Sequence, residues 1–315
     1  MKKVIFTIFS ICMMTCVYAQ NHISENLEIN DLIDGTLLQP KDDTSKTLAI
    51  IIAGSGPTNR DGNQTAMKSN NLKQLANFLA EEGIASFRYD KRIFKLSQMQ
   101  MYDQSKIRFE DFVKDAADVV NYFKLYHNDK YGFEKFILIG HSQGVLVAQL
   151  ASLKTAVDGL ILLCGTAKPI DEVMVSQVSQ QAPFLYKDLK DAFDSIKTVG
   201  YVNEYNPLLK SILREDTQAF LQSWMIHNPS EIAENISLPT LIIGGTTDIQ
   251  VPGEEAKTLS ESFPNATFAI IDNMNHVLKH VESLGQENLK SYNNPNLPLH
   301  EDLKSEIYDY LKKFK

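Results

Sequence analysis

Short apolar runs alternate with amphipathic stretches along most of this 315-residue chain. The runs at residues 48–53, 85–89, 136–139, 160–164, 240–244 and 267–271 are almost unbroken in aliphatic and β-branched side chains, as strands covered on both faces are. Between them, at 70–82, 109–126, 143–153 and 254–263, and again at 301–314, apolar residues recur at helical spacing. Strand and helix in alternation predict an α/β architecture, a mostly parallel sheet covered by helices. Residues 27–38 have room for one or two antiparallel edge strands ahead of the first run.

One interval breaks the alternation. From 169 to 235 there is no strand pattern, only helical ones at 186–197 and 216–227. An insertion of that length between two strands must fold on its own or cover something. It reads as a helical cap inserted before the strand at Thr240; the alternative is a peripheral decoration.

The first residues stand outside this pattern. Lys2 and Lys3 precede an apolar run that closes on Val17-Tyr18-Ala19, the layout of a secretory signal, here residues 1–19, with the mature domain at 20–315. A membrane anchor is the alternative, but the run falls short of the roughly 20 residues a spanning helix needs. An exported, periplasmic or extracellular protein with no membrane span after cleavage is the expectation. Cleavage removes two lysines and no acid, so 31 basic against 39 acidic residues becomes 29 against 39, a net charge of −10. An acidic surface without a basic cluster argues against nucleic acid as a partner. Cleavage also leaves Cys164 as the one cysteine, placed in an apolar run where a small buried hydrophobe is expected.

The chemistry centres on Gly140-His141-Ser142-Gln143-Gly144, which follows one apolar run and opens a helical pattern. That is the context of a nucleophile elbow. The turn forces the central residue into a strained backbone, and side chains at the flanking glycines would strike the adjoining strand and helix. Ser142 then sits at the carboxyl end of the sheet, over a helix N-terminus that favours a developing oxyanion. A serine hydroxyl needs a base, and the base needs an acid to set its tautomer. Asp248 and His276 each follow a later apolar run, so both fall at the same sheet edge as Ser142, where α/β sheets bind ligands. Rivals are His280 for the base, and Asp272 or Asp171 for the acid. His141 is expected to pack structurally, and His22, His127, His227 and His300 to be solvated. The backbone N–H of Gln143 is one expected oxyanion donor. The other comes from the loop Gly54-Ser55-Gly56-Pro57, with Ser55 N–H preferred and Gly56 as the alternative.

Taken together, Gly54-Ser55-Gly56-Pro57 with Arg60-Asp61-Gly62, Tyr89-Asp90-Lys91-Arg92, the Ser142 elbow, the Asp248 loop and Met274-Asn275-His276-Val277 resemble the exported bacterial α/β-hydrolases of the serine aminopeptidase and lysophospholipase-like group. The resemblance spans about 27–314. It implies the α/β-hydrolase fold and hydrolysis of a small-molecule ester or acylated substrate through an acyl-enzyme, with no cofactor and no metal. An aminopeptidase-type amide hydrolase is the second reading; it needs cap carboxylates for a substrate amine, among Asp171, Glu172, Asp188, Asp191, Asp194, Glu204 and Glu215. A non-catalytic binding protein is the third. Two departures stand out: Ile93-Phe94-Lys95 where a glycine is common, and Gln143 where the group often has Glu. Arg60, Asp61 and Arg92 either grip an acidic substrate group or brace loops.

Overall fold

The structure, a computed structural model, describes residues 22–42, 45–99 and 103–315. The segment read as an export signal lies outside these residues. Eight strands form one sheet in the order β1-β2-β4-β3-β5-β6-β7-β8. They are β1 (His22–Asn30), β2 (Ile33–Pro40), β3 (Thr47–Ile52), β4 (Ala85–Tyr89), β5 (Lys135–His141), β6 (Gly159–Leu163), β7 (Thr240–Gly245) and β8 (Ala266–Ile271). β1 and β2 form the antiparallel edge, and β3 to β8 run parallel.

Side chains of a strand alternate between faces, and the core divides accordingly. Leu48, Ile50 and Ile52 of β3, with Phe136 and Leu138 of β5, enter one apolar layer. Ala49, Ile51, Ile137 and Ile139 enter the other. Helices α3 (Phe109–Asn121) and α5 (Gln143–Ser152) cover the first face, joined there by α10 (Glu254–Ser260). Helices α1 (Asn71–Glu81) and α12 (Glu301–Leu311) cover the second. Two-sided cover explains why these strands lack a polar face.

Other helices escape the sequence pattern. α2 (Arg92–Gln98) occupies the stretch where the glycine is missing, and α4 (Asn128–Tyr131) follows a π turn at Tyr122–Tyr126 that ends the expected long helix early. α11 (Gln286–Ser291) precedes α12.

Between β6 and β7 the chain forms α6 (Ile170–Gln181), α7 (Tyr186–Val199), α8 (Glu215–Met225) and α9 (Pro229–Ala233). These helices keep a core of their own, including Leu189, Phe193, Ile196, Leu213 and Leu221. They rest on α3 through Trp224, stacked on Phe109 at 5.5 Å, and through Ser223, whose hydroxyl accepts from the Phe109 N–H at 2.8 Å. Among the described residues no helix is long and apolar enough to cross a membrane.

Candidate active site

β5 ends in the elbow. Ser142 has φ 55°, a conformation that costs a non-glycine residue of order 1–3 kcal/mol and persists only where its surroundings impose it. The surroundings do so from both sides. A Cβ on Gly140 would lie 2.3 Å from the Gly144 carbonyl oxygen, and one on Gly144 would lie 2.3 Å from the Ile52 carbonyl oxygen of β3. Only hydrogen fits at either position, so helix, turn and strand close around the serine. Its own N–H donates to the Leu163 carbonyl at 2.9 Å, and its carbonyl accepts from Val145 N–H at 2.9 Å.

Asp248 and His276 come from the loops after β7 and β8. The His276 Nδ1 lies 2.7 Å from Asp248 Oδ2, both side chains being at least 95% buried. The other carboxylate oxygen accepts from the N–H groups of Gln250 at 2.7 Å and Val251 at 2.9 Å. Burial alone would raise the Asp248 carboxyl, but the imidazole and these two amides outweigh it and hold the group below the usual carboxylate range. The acid is therefore ionised and its geometry fully assigned. Cys164 sits beside it at φ 52°, buried, with burial and the neighbouring carboxylate keeping its thiol protonated.

The His276 loop is held from behind. His141 Nε2 donates to the His276 carbonyl at 2.8 Å. Burial, helped by the nearby His276, pushes the His141 imidazole down to about 4, so the ring is neutral. The Asn275 amide donates to Asn288 Oδ1 and to Ser291 Oγ, and Asn288 in turn donates to the Thr247 carbonyl at 2.7 Å. α11 thus ties the Asp248 loop to the His276 loop.

On the opposite side stands the Gly54-Ser55-Gly56 loop. A Cβ on Gly54 would come within 3.1 Å of the Ser142 Cβ, so the loop packs directly against Ser142. Beneath it lies Lys91, 7% exposed, whose Nζ donates to the Gly54 carbonyl, to the Gly56 carbonyl at 3.3 Å and to Gln143 Oε1 at 2.9 Å. The carbonyl of Gly54 and the N–H of Ser55 share one trans peptide, so they point in opposite directions. Drawing the Gly54 carbonyl to Lys91 therefore turns the Ser55 N–H away from the ammonium. Burial pushes the Lys91 ammonium down to about 7, and Gln143 gives it no counter-charge. In sequence Lys91 stands within the Tyr89-Asp90-Lys91-Arg92 motif of the resemblance but without a role of its own, since nothing local shows that its ammonium is buried.

The remaining candidates lie elsewhere. His280 pairs with His300 at 3.1 Å and is half exposed, and Asp272 is exposed. Asp171 is buried against Lys197 on the insertion. Two histidines expected in solvent are not there: His300 is 6% exposed and caps α12 by accepting from Asp302 N–H, and His227 contacts Glu110 at 3.0 Å while tilting on Phe109. Both are sheltered by packing that a polar neighbourhood in sequence conceals. Arg60 pairs with Asp90 through its backbone N–H and its guanidinium, Arg88 with Asp61, and Arg92 with Asp111 and Asp115. These pairs brace loops; none of their side chains lines a cavity at Ser142.

Two cavities meet at Ser142. One, of about 250 Å³, runs under α6 and α8 and is lined by Val145, Leu146, Ile170, Met174 and Trp224 among others. The second, of about 300 Å³, contains His276, Thr58, Gln64, Asn71 and Tyr292. Ser55, Ser142 and Gln250 border both. Neither is lined by an aspartate or glutamate among the described residues. Of the insertion carboxylates, Asp188, Asp191 and Glu204 surround a separate depression away from Ser142.

The sequence profile of the family described as Serine aminopeptidase, S33 matches residues 65–282, more than two thirds of the chain. The chain belongs to the S33 serine aminopeptidase family of α/β-hydrolases. Esterase EstD of Thermotoga maritima is 22% identical to this S33 member over 268 residues, which cover 81% of the chain and 60% of EstD. The chain therefore spans about three fifths of that curated relative. Est1E from Butyrivibrio proteoclasticus has the same fold, with a TM-score of 0.57 at 17% identity over 92% of this chain and 99% of its own. So does an esterase from Pyrococcus furiosus, with a TM-score of 0.56 at 15% identity over 93% and 90%.

Proposed function

We propose that this S33 member is a serine hydrolase that cleaves carboxylic esters through an acyl-enzyme, with Ser142 as nucleophile, His276 as base and Asp248 as the acid that orients it. The observation that carries the reading is the buried Asp248–His276 couple at 2.7 Å opening into the same cavity as a serine held at positive φ. Ionised Asp248 accepts the Nδ1 proton, which leaves Nε2 of His276 free to take a proton from the serine hydroxyl. Ser142 Oγ bonds to the ester carbonyl carbon, and the oxygen that becomes negative is held by the N–H groups of Gln143 and Ser55. The imidazolium then gives its proton to the departing alkoxide as the carbon–oxygen bond breaks. Water, deprotonated by the same imidazole, attacks the acyl-serine and releases the carboxylic acid. No cofactor takes part.

Two further observations support an ester over an aminoacyl amide: the EstD relative is described as an esterase, and among the described residues no carboxylate borders either cavity to hold a substrate ammonium. The reading also includes export, since residues 1–19 have the layout of a secretory signal; fractionation of cells expressing the full chain tests that part. The central test is labelling of the purified protein with a fluorophosphonate and hydrolysis of p-nitrophenyl butanoate. The wild type labels and turns over; Ser142→Ala does neither, losing about 10⁶-fold in kcat. Undiminished turnover by Ser142→Ala would remove the assignment.

A further inference from the structure

Two buried side chains beside the Asp248–His276 couple take no direct part in ester cleavage, Cys164 and His141. The Cys164 sulfur, one nitrogen of His141 and one nitrogen of His276 all lie within 4.8 Å of one another. They come from three elements: the end of β5, the residue after β6 and the loop after β8. The geometry points to a regulatory metal site, in which a thiophilic divalent cation of the Zn²⁺ class, held by Cys164 Sγ and one nitrogen each of His141 and His276, switches the hydrolase off. The switching rests on the ester-hydrolase reading above; the binding does not.

The donor set decides the class of ion. One thiolate and two imidazoles suit Zn²⁺ and its softer neighbours, whereas Mg²⁺ and Ca²⁺ take oxygen. Zinc bonds of about 2.0–2.1 Å to nitrogen and about 2.3 Å to sulfur set tetrahedral ligand atoms roughly 3.5 Å apart, so movements on the order of 1 Å close the cluster on an ion. The rings already have a fitting separation: their centres are 5.0 Å apart, and two imidazoles on one tetrahedral zinc stand roughly 5 Å apart. Each ring is also held as a metal ligand is held. His276 Nδ1 donates to Asp248 Oδ2 at 2.7 Å, and His141 Nε2 donates to the His276 carbonyl at 2.8 Å. Metal-bound imidazoles use this pattern, with one nitrogen on a carboxylate or carbonyl and the other on the ion. Charge balances as well. On binding, the Cys164 thiol gives its proton to solvent, and the thiolate and the neighbouring ionised Asp248 set two negative charges against the two positive ones of the ion. An ion can reach the cluster, because Cys164 borders the 250 Å³ cavity, His141 and His276 border the 300 Å³ one, and Ser142 borders both. The fourth tetrahedral position is left to water. With Asp248 on one nitrogen of His276 and the ion on the other, none remains for the serine proton.

The test adds ZnCl₂ or MgCl₂ to the purified chain in a buffer that does not chelate, with p-nitrophenyl butanoate as substrate and each variant compared with its own metal-free rate. Zn²⁺ stops the wild type, EDTA restores it, and Mg²⁺ at the same concentration has no effect. Cys164→Ala raises the half-inhibiting Zn²⁺ concentration by about tenfold or more, since losing a ligand costs at least what losing an outer-sphere partner does. His141→Gln, which keeps a donor for the His276 carbonyl, does the same independently. Fluorophosphonate labelling without metal certifies a folded site in both variants. Co²⁺ serves as the spectroscopic probe: the wild type and Ser142→Ala acquire the near-ultraviolet absorption of a thiolate bound to the metal, and Cys164→Ala does not. Hydrolysis that Zn²⁺ leaves untouched, or Cys164→Ala as sensitive as the wild type, overturns the metal site while ester hydrolysis stands. A protein that shows the Co²⁺ band but neither labels nor hydrolyses overturns the hydrolase reading and keeps the metal site.

Discussion

The Lys91 ammonium donates to Gln143 Oε1 at 2.9 Å, and through that contact a buried amino group reaches the residue that follows Ser142. The same nitrogen holds the carbonyls of Gly54 and Gly56. Gln143, next to Ser142, and the loop facing it are thus pinned to a single atom.

Replacing Lys91 by Met keeps the length and removes all three hydrogen bonds. The Ser55 N–H is then no longer held in one direction, and the loss falls on the transition state: kcat drops by about 10²-fold, the scale of one oxyanion donor, with KM nearly unchanged. The pH profile separates this role from a purely structural one. An ammonium donates three hydrogens and the neutral amine two, so as pH rises through about 7 the wild type loses a donor and activity falls. That alkaline limb is absent from Lys91→Met.

Asp248→Asn keeps an oxygen for the Gln250 and Val251 amides and so preserves the loop. It removes the charge that fixes the His276 tautomer. The expected loss in kcat is about 10⁴-fold, measured on p-nitrophenyl butanoate, with the urea midpoint little changed.

His141 sets an acid limit on stability. Its folded-state value of about 4 lies below its ordinary 6.5, so as pH falls the unfolded chain takes up the proton first. Stability is complete above about 6.5 and is lost progressively as pH falls towards 4. Urea unfolding across that window shows a smaller decline for His141→Gln, which retains a donor for the His276 carbonyl.

Gly144→Ala introduces a Cβ 2.3 Å from the Ile52 carbonyl oxygen. Because that oxygen belongs to β3 and cannot rotate away, α5 must shift. Destabilisation of about 1–3 kcal/mol is expected from overpacking of this kind, read from thermal or urea unfolding, together with loss of fluorophosphonate labelling.

Much of the fold is legible in sequence for one physical reason. Strands buried on both faces, as β3 to β7 are, leave unbroken apolar runs, and the observed bounds of these strands and of the more exposed edge strand β8 fall within one or two residues of the runs. Ser142 is equally legible, because its two flanking glycines follow from a clash that any such turn would suffer. What pattern could not reveal is polar and buried. Asn275, Asn288 and Ser291 form the brace behind His276, yet buried amides and hydroxyls look the same in sequence as solvated loop residues. Lys91 is hidden likewise inside a charged tetrad. His300 caps a helix although histidine is not among the favoured capping residues, so nothing local announced its burial.

Helix α6 faces two ways. Ile170 and Met174 border the apolar cavity and also pack against the core that α7 and α8 share. A change deep among Leu189, Phe193 and Leu221 would therefore be felt at the cavity wall without touching Ser142, Asp248 or His276. Relatives that diverge only in how those helices nest against one another can come to shape this cavity differently, while the surroundings of Ser142, Asp248 and His276 stay the same.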